Sequence, residues 1–314
     1  MLLYRLLLTL AAPVLFAGLL LRVARGRETR ADLAERLGRG LASQATGPVL
    51  WLHGASNGEL TAARPLIEAL LARDPARHLL VTSNTTTGRD MVRGWGVPRT
   101  CARLAPLDLR ACTARLMRRH RVAALAIVEN ELWPNRLAMA EARGLPVALV
   151  AARLSARSAG RWARLRPLIA PRLAAVARAI PQDADTGARL VALGLAPSAL
   201  GPVRELKAQV RLPPPPEEEV AALGFARGET LLAASTHEGE EAQVLAAFLQ
   251  ARAARPALRL ILAPRHPRRG PEVAAAIRAA GLPFATRSAG EGPGQAPVYL
   301  ADTLGEMALW YAAA

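Results

Sequence analysis

The 314-residue chain has one lysine, few aromatic residues and two cysteines. Each shortage excludes something. Cys101 and Cys112 are too few for a disulfide framework and lack a second pair at metal-ligand spacing, so a reducing compartment is the simplest expectation. Aromatic residues make up only 4% of the chain. That argues against single-strand nucleic-acid binding, which stacks bases on Phe, Tyr and Trp. With 52% apolar and 21% charged residues the composition shows no sign of disorder, and the length suits two domains of ordinary size. Lys207 is the single lysine among 41 basic residues, so arginine carries nearly all of the net charge of +16. The arginine content reads partly as a genome-wide preference for Arg and Ala. The excess still favours phosphate-bearing partners: nucleic acid, an anionic membrane surface or a phosphorylated small molecule. No nucleic-acid recognition module is evident.

Residues 6–21 form an uncharged, mainly apolar run flanked by Arg5 before it and by Arg22, Arg25, Arg27 and Arg30 after it. At about 1.5 Å per residue a helix over this run spans roughly 24 Å, slightly short of the ~30 Å hydrocarbon core. The positive charge is heavier after the run, and no small-residue cleavage site precedes the arginines. An anchor is therefore expected over a cleaved signal, with the bulk of the chain on the cytoplasmic side.

From residue 49 short apolar runs alternate with amphipathic stretches, the pattern of parallel strands joined by helices. Strands are expected at 49–53, 79–82, 122–128, 147–150, 231–234, 258–263 and 298–300, with helices at 60–73, 109–119 and 242–253. The fold class expected is α/β with two Rossmann-like domains. The Pro213–Pro216 run followed by three glutamates marks the boundary. The expected division is an anchor with its basic flank at 1–30, an N-terminal domain at 31–212 and a C-terminal domain at 213–314.

Ligands of such sheets sit beyond the carboxyl ends of the strands, and polar residues crowd there. The first strand runs into His53-Gly-Ala-Ser-Asn-Gly-Glu59. A carboxylate in the first turn of a helix is held ionised by the helix dipole, the state a general base needs, although the same field weakens it as a base unless burial compensates. Such a Glu also serves as a plain helix cap. The 122–128 strand ends in Glu129-Asn-Glu131-Leu-Trp-Pro134, two acids beside a Trp that walls a pocket or simply packs. The 231–234 strand leads to Ser235-Thr236-His-Glu-Gly-Glu240. The next leads to Pro264-Arg265-His266-Pro-Arg-Arg269, a rigid turn presenting three arginines where phosphate would bind. His266 and His237 lack a third ligand for a metal. Arg153 follows another apolar strand. A site that needs a compact ammonium would keep Lys207 in a chain that otherwise uses arginine.

Together these motifs, with Ala152-Arg-Leu-Ser155 and Asp302-Thr-Leu-Gly-Glu306, resemble the transferases that move 3-deoxy-D-manno-octulosonic acid (Kdo) from CMP-Kdo onto lipid A precursors. The resemblance implies a GT-B type fold, an acceptor-binding N-terminal domain, a CMP-sugar-binding C-terminal domain, no cofactor and no catalytic metal. It implies inverting transfer to lipid IVA in lipopolysaccharide biosynthesis, at the cytoplasmic side of the cell inner membrane. By motif, Glu59 matches the general base, and Glu129 and Lys207 match residues that stabilise the transition state. Pro264, Arg265, Leu304, Gly305 and Glu306 match positions that hold CMP. Ser56, Glu131, Arg153, Ser235, Thr236 and His266 are further candidates.

The chain departs from the family pattern at three places. Ala151 stands where the family has Asn, and Arg204 stands in what is a Gly-containing turn before the lysine. The sequence also stops at Ala314, inside an expected helix starting near Gly305. A C-terminal domain truncated there is expected to leave apolar surface uncovered and the fragment inactive or weakly stable. Other readings of the same residues are a membrane-tethered, non-catalytic binder of anionic lipid or nucleotide, and a GT-B enzyme using another nucleotide sugar.

Overall fold

The computed structural model describes residues 1–42, 45, 47–129, 131–207 and 214–314. They form two compact units, Met1–Val210 and Arg211–Ala314. The boundary expected between residues 212 and 213 lies outside the described residues, as does Pro213.

In the N-terminal unit six strands form one parallel sheet: β1 (Val49–His53), β2 (His78–Ser83), β3 (Thr100–Leu104), β4 (Val122–Val128), β5 (Val147–Ala152) and β6 (Arg178–Pro181). Their order is β3-β2-β1-β4-β5-β6. This is the doubly wound dinucleotide-binding order, in which the chain reverses direction across the sheet between β1 and β4. Strand alternation sorts the core: Val49 and Trp51 of β1 face one cluster, Leu50 and Leu52 the other. The first cluster packs against α5 (Arg110–Arg119), α6 (Pro134–Glu141), α8 (Arg166–Ala174) and α9 (Ala184–Leu193); the second against α3 (Asn57–Arg73) and α4 (Thr86–Gly94). The α7 helix (Ala156–Arg164) buries no residue.

Helix α1 (Leu2–Ala24) is longer than the apolar run within it. Its 23 residues span about 34 Å, and it is long and apolar enough to cross a membrane. Its first turn is nevertheless tied to the N-terminal unit: Tyr4 Oη donates to Asp108 Oδ2 at 2.9 Å and Arg5 Nε to Asn135 Oδ1 at 3.1 Å. Of the basic flank, Arg22 pairs with Glu28, whereas Arg25, Arg27 and Arg30 are exposed. The α2 helix (Arg30–Arg36) starts with a capping box between Thr29 and Asp32. Buried Glu28, Asp32 and Glu35 fasten this segment to Arg36 and Arg89.

The C-terminal unit holds a four-stranded parallel sheet, β7 (Thr230–Thr236), β8 (Arg259–Pro264), β9 (Phe284–Thr286) and β10 (Val298–Leu300), in the order β7-β8-β10-β9. Its helices are α10 (Glu217–Ala222), α11 (Glu240–Ala254), α12 (Gly270–Ala279) and α13 (Met307–Ala313). Phe248 and Ile277 pack on one face with Leu260 and Leu262. On the other face Leu223 and Trp310 pack with Ile261 and Tyr299. The Trp310 and Tyr299 rings meet edge-on at 5.8 Å, an arrangement the aromatic quadrupole favours. Helices lie over both faces of this sheet, while Leu231 of the edge strand β7, Leu304 and Tyr311 are exposed.

All seven expected strands are present, with ends within two residues of those expected. The three additional strands, β3, β6 and β9, all lie at sheet edges. An edge strand has neighbours on one side only, so it need not be a continuous apolar run.

Candidate active site

Glu59 and Glu129 follow β1 and β4, the two strands that flank the reversal of the sheet. Ser56 caps α3, its hydroxyl accepting from Glu59 N at 3.3 Å and donating to Glu59 Oε1 at 3.0 Å. The Glu59 carboxylate folds back to accept from Ala55 N at 2.7 Å. Burial pushes the Glu59 pKa above the ordinary glutamate value; the two backbone and hydroxyl donors oppose this, while nearby Glu129 and Glu131 add to it. Burial thus outweighs these donors and strengthens Glu59 as a base.

Glu129 sits at φ +59°, a left-handed conformation rare for a residue with a side chain. Backbone bonds on either side hold it there: Glu129 N donates to Val150 O at 3.0 Å, and Arg153 N donates to Glu129 O at 3.3 Å. The turn leaves the carboxylate 2.7 Å from Lys207 Nζ. Asn130, the next residue of the motif, lies outside the described residues.

Glu131 accepts from Asn84 Nδ2 at 3.1 Å and from the Trp133 indole N–H, and faces the fully buried His53, whose Nε2 is 3.5 Å away. That imidazole nitrogen makes no hydrogen bond in this geometry, so the two groups interact through space. Burial raises the Glu131 pKa, but His53, Trp133 and Asn84 outweigh it and hold the carboxyl at about 2. Burial and the charge of Arg136 push His53 down to about 4. The imidazole is therefore neutral at pH 7 and acts on Glu131 as a dipole. Thr82 Oγ1 accepts from Trp51 Nε1 at 2.7 Å and lies 2.8 Å from His53 Nδ1.

The loop carrying these acids is braced from below. Asp108 caps α6 from another segment, accepting from Asn135 N at 3.0 Å and Arg136 N at 2.8 Å. Arg136 is buried with its guanidinium 5.1 Å from the Trp51 ring centroid, and burial lowers its pKa to about 10. Sequence reading missed Asn84, Asp108 and Arg136. No motif marks them, because their partners are distant in the chain.

The C-terminal unit gathers the other candidates at the carboxyl ends of its strands. Ser235 is exposed and sits in a bulge of β7 at φ +58°, where the register to β8 shifts. Thr236 and Pro264 are buried register partners, and Thr236 Oγ1 donates to Glu241 Oε1 at 2.8 Å. Arg265 and His266 are exposed, while Arg265 N donates to Thr236 O at 2.9 Å. Of the three arginines expected to present themselves to phosphate, Arg269 is instead held by Glu241 and Glu272, each at 2.7 Å.

Leu304 and Gly305 form an exposed turn, with Gly305 at φ +89°. Glu306 accepts from Arg287 Nε at 3.0 Å and from the Thr303 hydroxyl. The bond from Arg287 chiefly lowers the Glu306 pKa. Asp302 accepts from Ser288 N and Oγ at 2.9 and 2.7 Å, and a Cβ on Gly270 would come within 2.5 Å of its Oδ2. Arg287 follows β9, the short edge strand, which is why its bond to Glu306 was not legible in the sequence. Among the described residues no group of three His, Cys, Asp or Glu side chains is arranged to hold a metal ion.

Residues 31–210 match the family described as 3-deoxy-D-manno-octulosonic-acid transferase. The chain is 39% identical to the 3-deoxy-D-manno-octulosonic acid transferase of Bordetella pertussis, over 99% of this chain and 75% of that protein. The chain belongs to the Kdo transferase family. It is a glycosyltransferase. The transferase of Haemophilus influenzae is 30% identical over 98% of this chain and 73% of its own length. In fold the chain is similar to UDP-GlcNAc 2-epimerase from Neisseria meningitidis, with a TM-score of 0.55 at 10% identity over 85% of this chain and 74% of the epimerase. That likeness concerns the α/β architecture alone.

Proposed function

We propose that this Kdo transferase moves Kdo from CMP-Kdo to a lipid A precursor of the lipid IVA type, with inversion, as a step of lipopolysaccharide biosynthesis at the cytoplasmic side of the inner membrane. Glu59 takes the proton of the acceptor hydroxyl as its oxygen forms a bond to the anomeric carbon. The bond from that carbon to the CMP phosphate oxygen breaks in the same displacement, and CMP leaves with the electron pair. Glu129 and Lys207 supply fixed opposite charges beside the reacting centre. The C-terminal unit binds CMP, Arg265 pairing with its phosphate and Pro264, Leu304, Gly305 and Glu306 shaping the nucleotide site.

One observation carries this reading: in a Kdo transferase chain, a buried carboxylate with a raised pKa stands at the sheet's reversal, electrostatically coupled to Glu129, which is paired with the single lysine. Helix α1 and the exposed arginines after it support a membrane-bound acceptor. The test is transfer by the purified chain from CMP-Kdo to lipid IVA, with CMP release measured. A Glu59→Gln chain should bind CMP and fail to transfer. Transfer undiminished in that variant, or a preference for UDP over CMP in competition, overturns the reading.

A further inference from the structure

Of the three arginines in the turn after β8, the last is committed to protein groups. Arg269 donates to two carboxylates at once: Nη1 and Nη2 to Glu241 at 2.7 and 3.1 Å, and Nε and Nη2 to Glu272 at 3.2 and 2.7 Å. A guanidinium has five N–H donors, so these bonds leave little for a ligand. Two facing carboxylates would also repel a phosphate. Arg265, His266 and Arg268, by contrast, are exposed.

The Arg269–Glu241 pair closes a ring around the turn. Thr236, the last residue of β7, holds both ends of it. Its carbonyl accepts from Arg265 N at 2.9 Å, and its hydroxyl donates at 2.8 Å to Glu241 Oε1, the oxygen that also accepts from Arg269. Within the turn Arg269 N donates to His266 O at 2.9 Å. Thr236 is buried, and the Glu241 and Arg269 side chains are 5% and 13% exposed. Burial raises the Glu241 pKa, but the bonds from Arg269 and Thr236 outweigh it and hold the carboxyl below the ordinary glutamate range. The pair is therefore charged at neutral pH, and its fork geometry fixes orientation as well as distance. At the far end of the turn, a Cβ on Gly270 would come within 2.5 Å of Asp302 Oδ2. The turn thus also packs closely on the segment that leads to Leu304, Gly305 and Glu306.

We infer that Arg269 and Glu241 are positioning residues of the donor site: they touch no ligand, and they hold the turn so that Arg265 meets the CMP phosphate from a backbone already ordered. The inference rests on the reading of Arg265 as the phosphate ligand and adds what keeps it in place. A segment that must be ordered at the moment of binding costs affinity, and a braced one avoids that cost.

The test is isothermal titration of the full chain with CMP and with cytidine, which lacks the phosphate. Glu241→Gln and Arg269→Ala should each weaken CMP binding about tenfold and leave cytidine binding unchanged. The double variant should lose no more than either single one, because the two side chains act as a unit. Arg269→Lys should not restore affinity, since a single ammonium cannot fork across two carboxylates. Thr236→Val keeps both charges and removes only the hydroxyl bond. It should weaken CMP about threefold, and it carries the test where a charge deletion prevents folding. Were Arg269 itself a phosphate ligand, Glu241→Gln would free it and tighten CMP binding; that result overturns the inference. Equal losses for CMP and cytidine, in step with a lower melting temperature, make the pair a plain brace of the fold and overturn it as well. A wild-type chain that binds no CMP overturns the donor-site reading itself, whereas CMP bound equally by wild type and Glu241→Gln overturns the inference alone.

Discussion

Lys207 Nζ stands 2.7 Å from Glu129 Oε1, joining the chain's only lysine to a glutamate held in a left-handed backbone conformation. The two are 78 residues apart in the sequence, Glu129 after β4 and Lys207 near the end of the N-terminal unit. Packing does not require the lysine, since Lys207 is exposed. Strain of this kind costs on the order of 1–3 kcal/mol and persists where the surroundings over-determine it.

Replacing Lys207 by Met should lower kcat by roughly 10²–10³, the range for loss of one preorganised charge, with little change in KM for CMP-Kdo. Arginine should rescue poorly, because its planar fork cannot occupy the place of a compact ammonium. Steady-state kinetics of the two variants checks this, and full activity of Lys207→Arg would remove the argument for the ammonium.

Glu59→Gln should abolish transfer while raising stability. The folded-state pKa of Glu59 is raised by burial. Above the ordinary glutamate value the unfolded chain has therefore lost a proton that the folded chain keeps. Stability falls as pH rises through that interval, and at neutral pH the buried charge destabilises the fold. A neutral amide removes that cost, and a rise in melting temperature of roughly 1–3 °C is expected. For the same reason the acid limb of kcat against pH should lie above the usual glutamate range. A limb at or below that range would count against Glu59 as the base.

Buried His53 and His120 are both depressed to about 4. Between the ordinary histidine value and that point the unfolded chain binds protons that the folded chain refuses. Stability therefore drops as pH falls from about 6.5 to about 4, by up to ~3 kcal/mol for each histidine. Denaturant titrations at several pH values measure the slope, and replacing His53 by Asn should remove its share.

Ala151 adopts φ +46° at the point where the register between β5 and β6 shifts. Asn tolerates the left-handed region better than Ala, and Gly better still. Ala151→Asn and Ala151→Gly should therefore each gain roughly 1 kcal/mol, read from the denaturant midpoint. Destabilisation by both would show that the bulge carries no strain.

Arg287→Ala should weaken CMP binding about tenfold by releasing Glu306, whose carboxylate accepts from the Arg287 guanidinium at 3.0 Å. Isothermal titration with CMP checks this, and an unchanged affinity would separate Glu306 from the nucleotide site.

The α/β alternation, the seven strands that carry continuous apolar runs, and the acids after β1 and β4 were determined by local sequence. A buried parallel strand must be apolar on both faces, and a helix start selects its own capping residues. Ser56 and Glu59 are three residues apart, so their mutual bonds are legible without a fold. The edge strands, the bracing of α6 by Asp108, the Trp51–Thr82–His53 chain of contacts and the union of Lys207 with Glu129 were decided by tertiary structure. They join groups far apart in sequence, and only the order of strands in the sheet brings them within reach. Whether a given carboxyl is raised or lowered is settled the same way. Glu59 and Glu131 are the same residue type at the same edge of one sheet, and they part because one meets chiefly burial and the other a set of N–H donors.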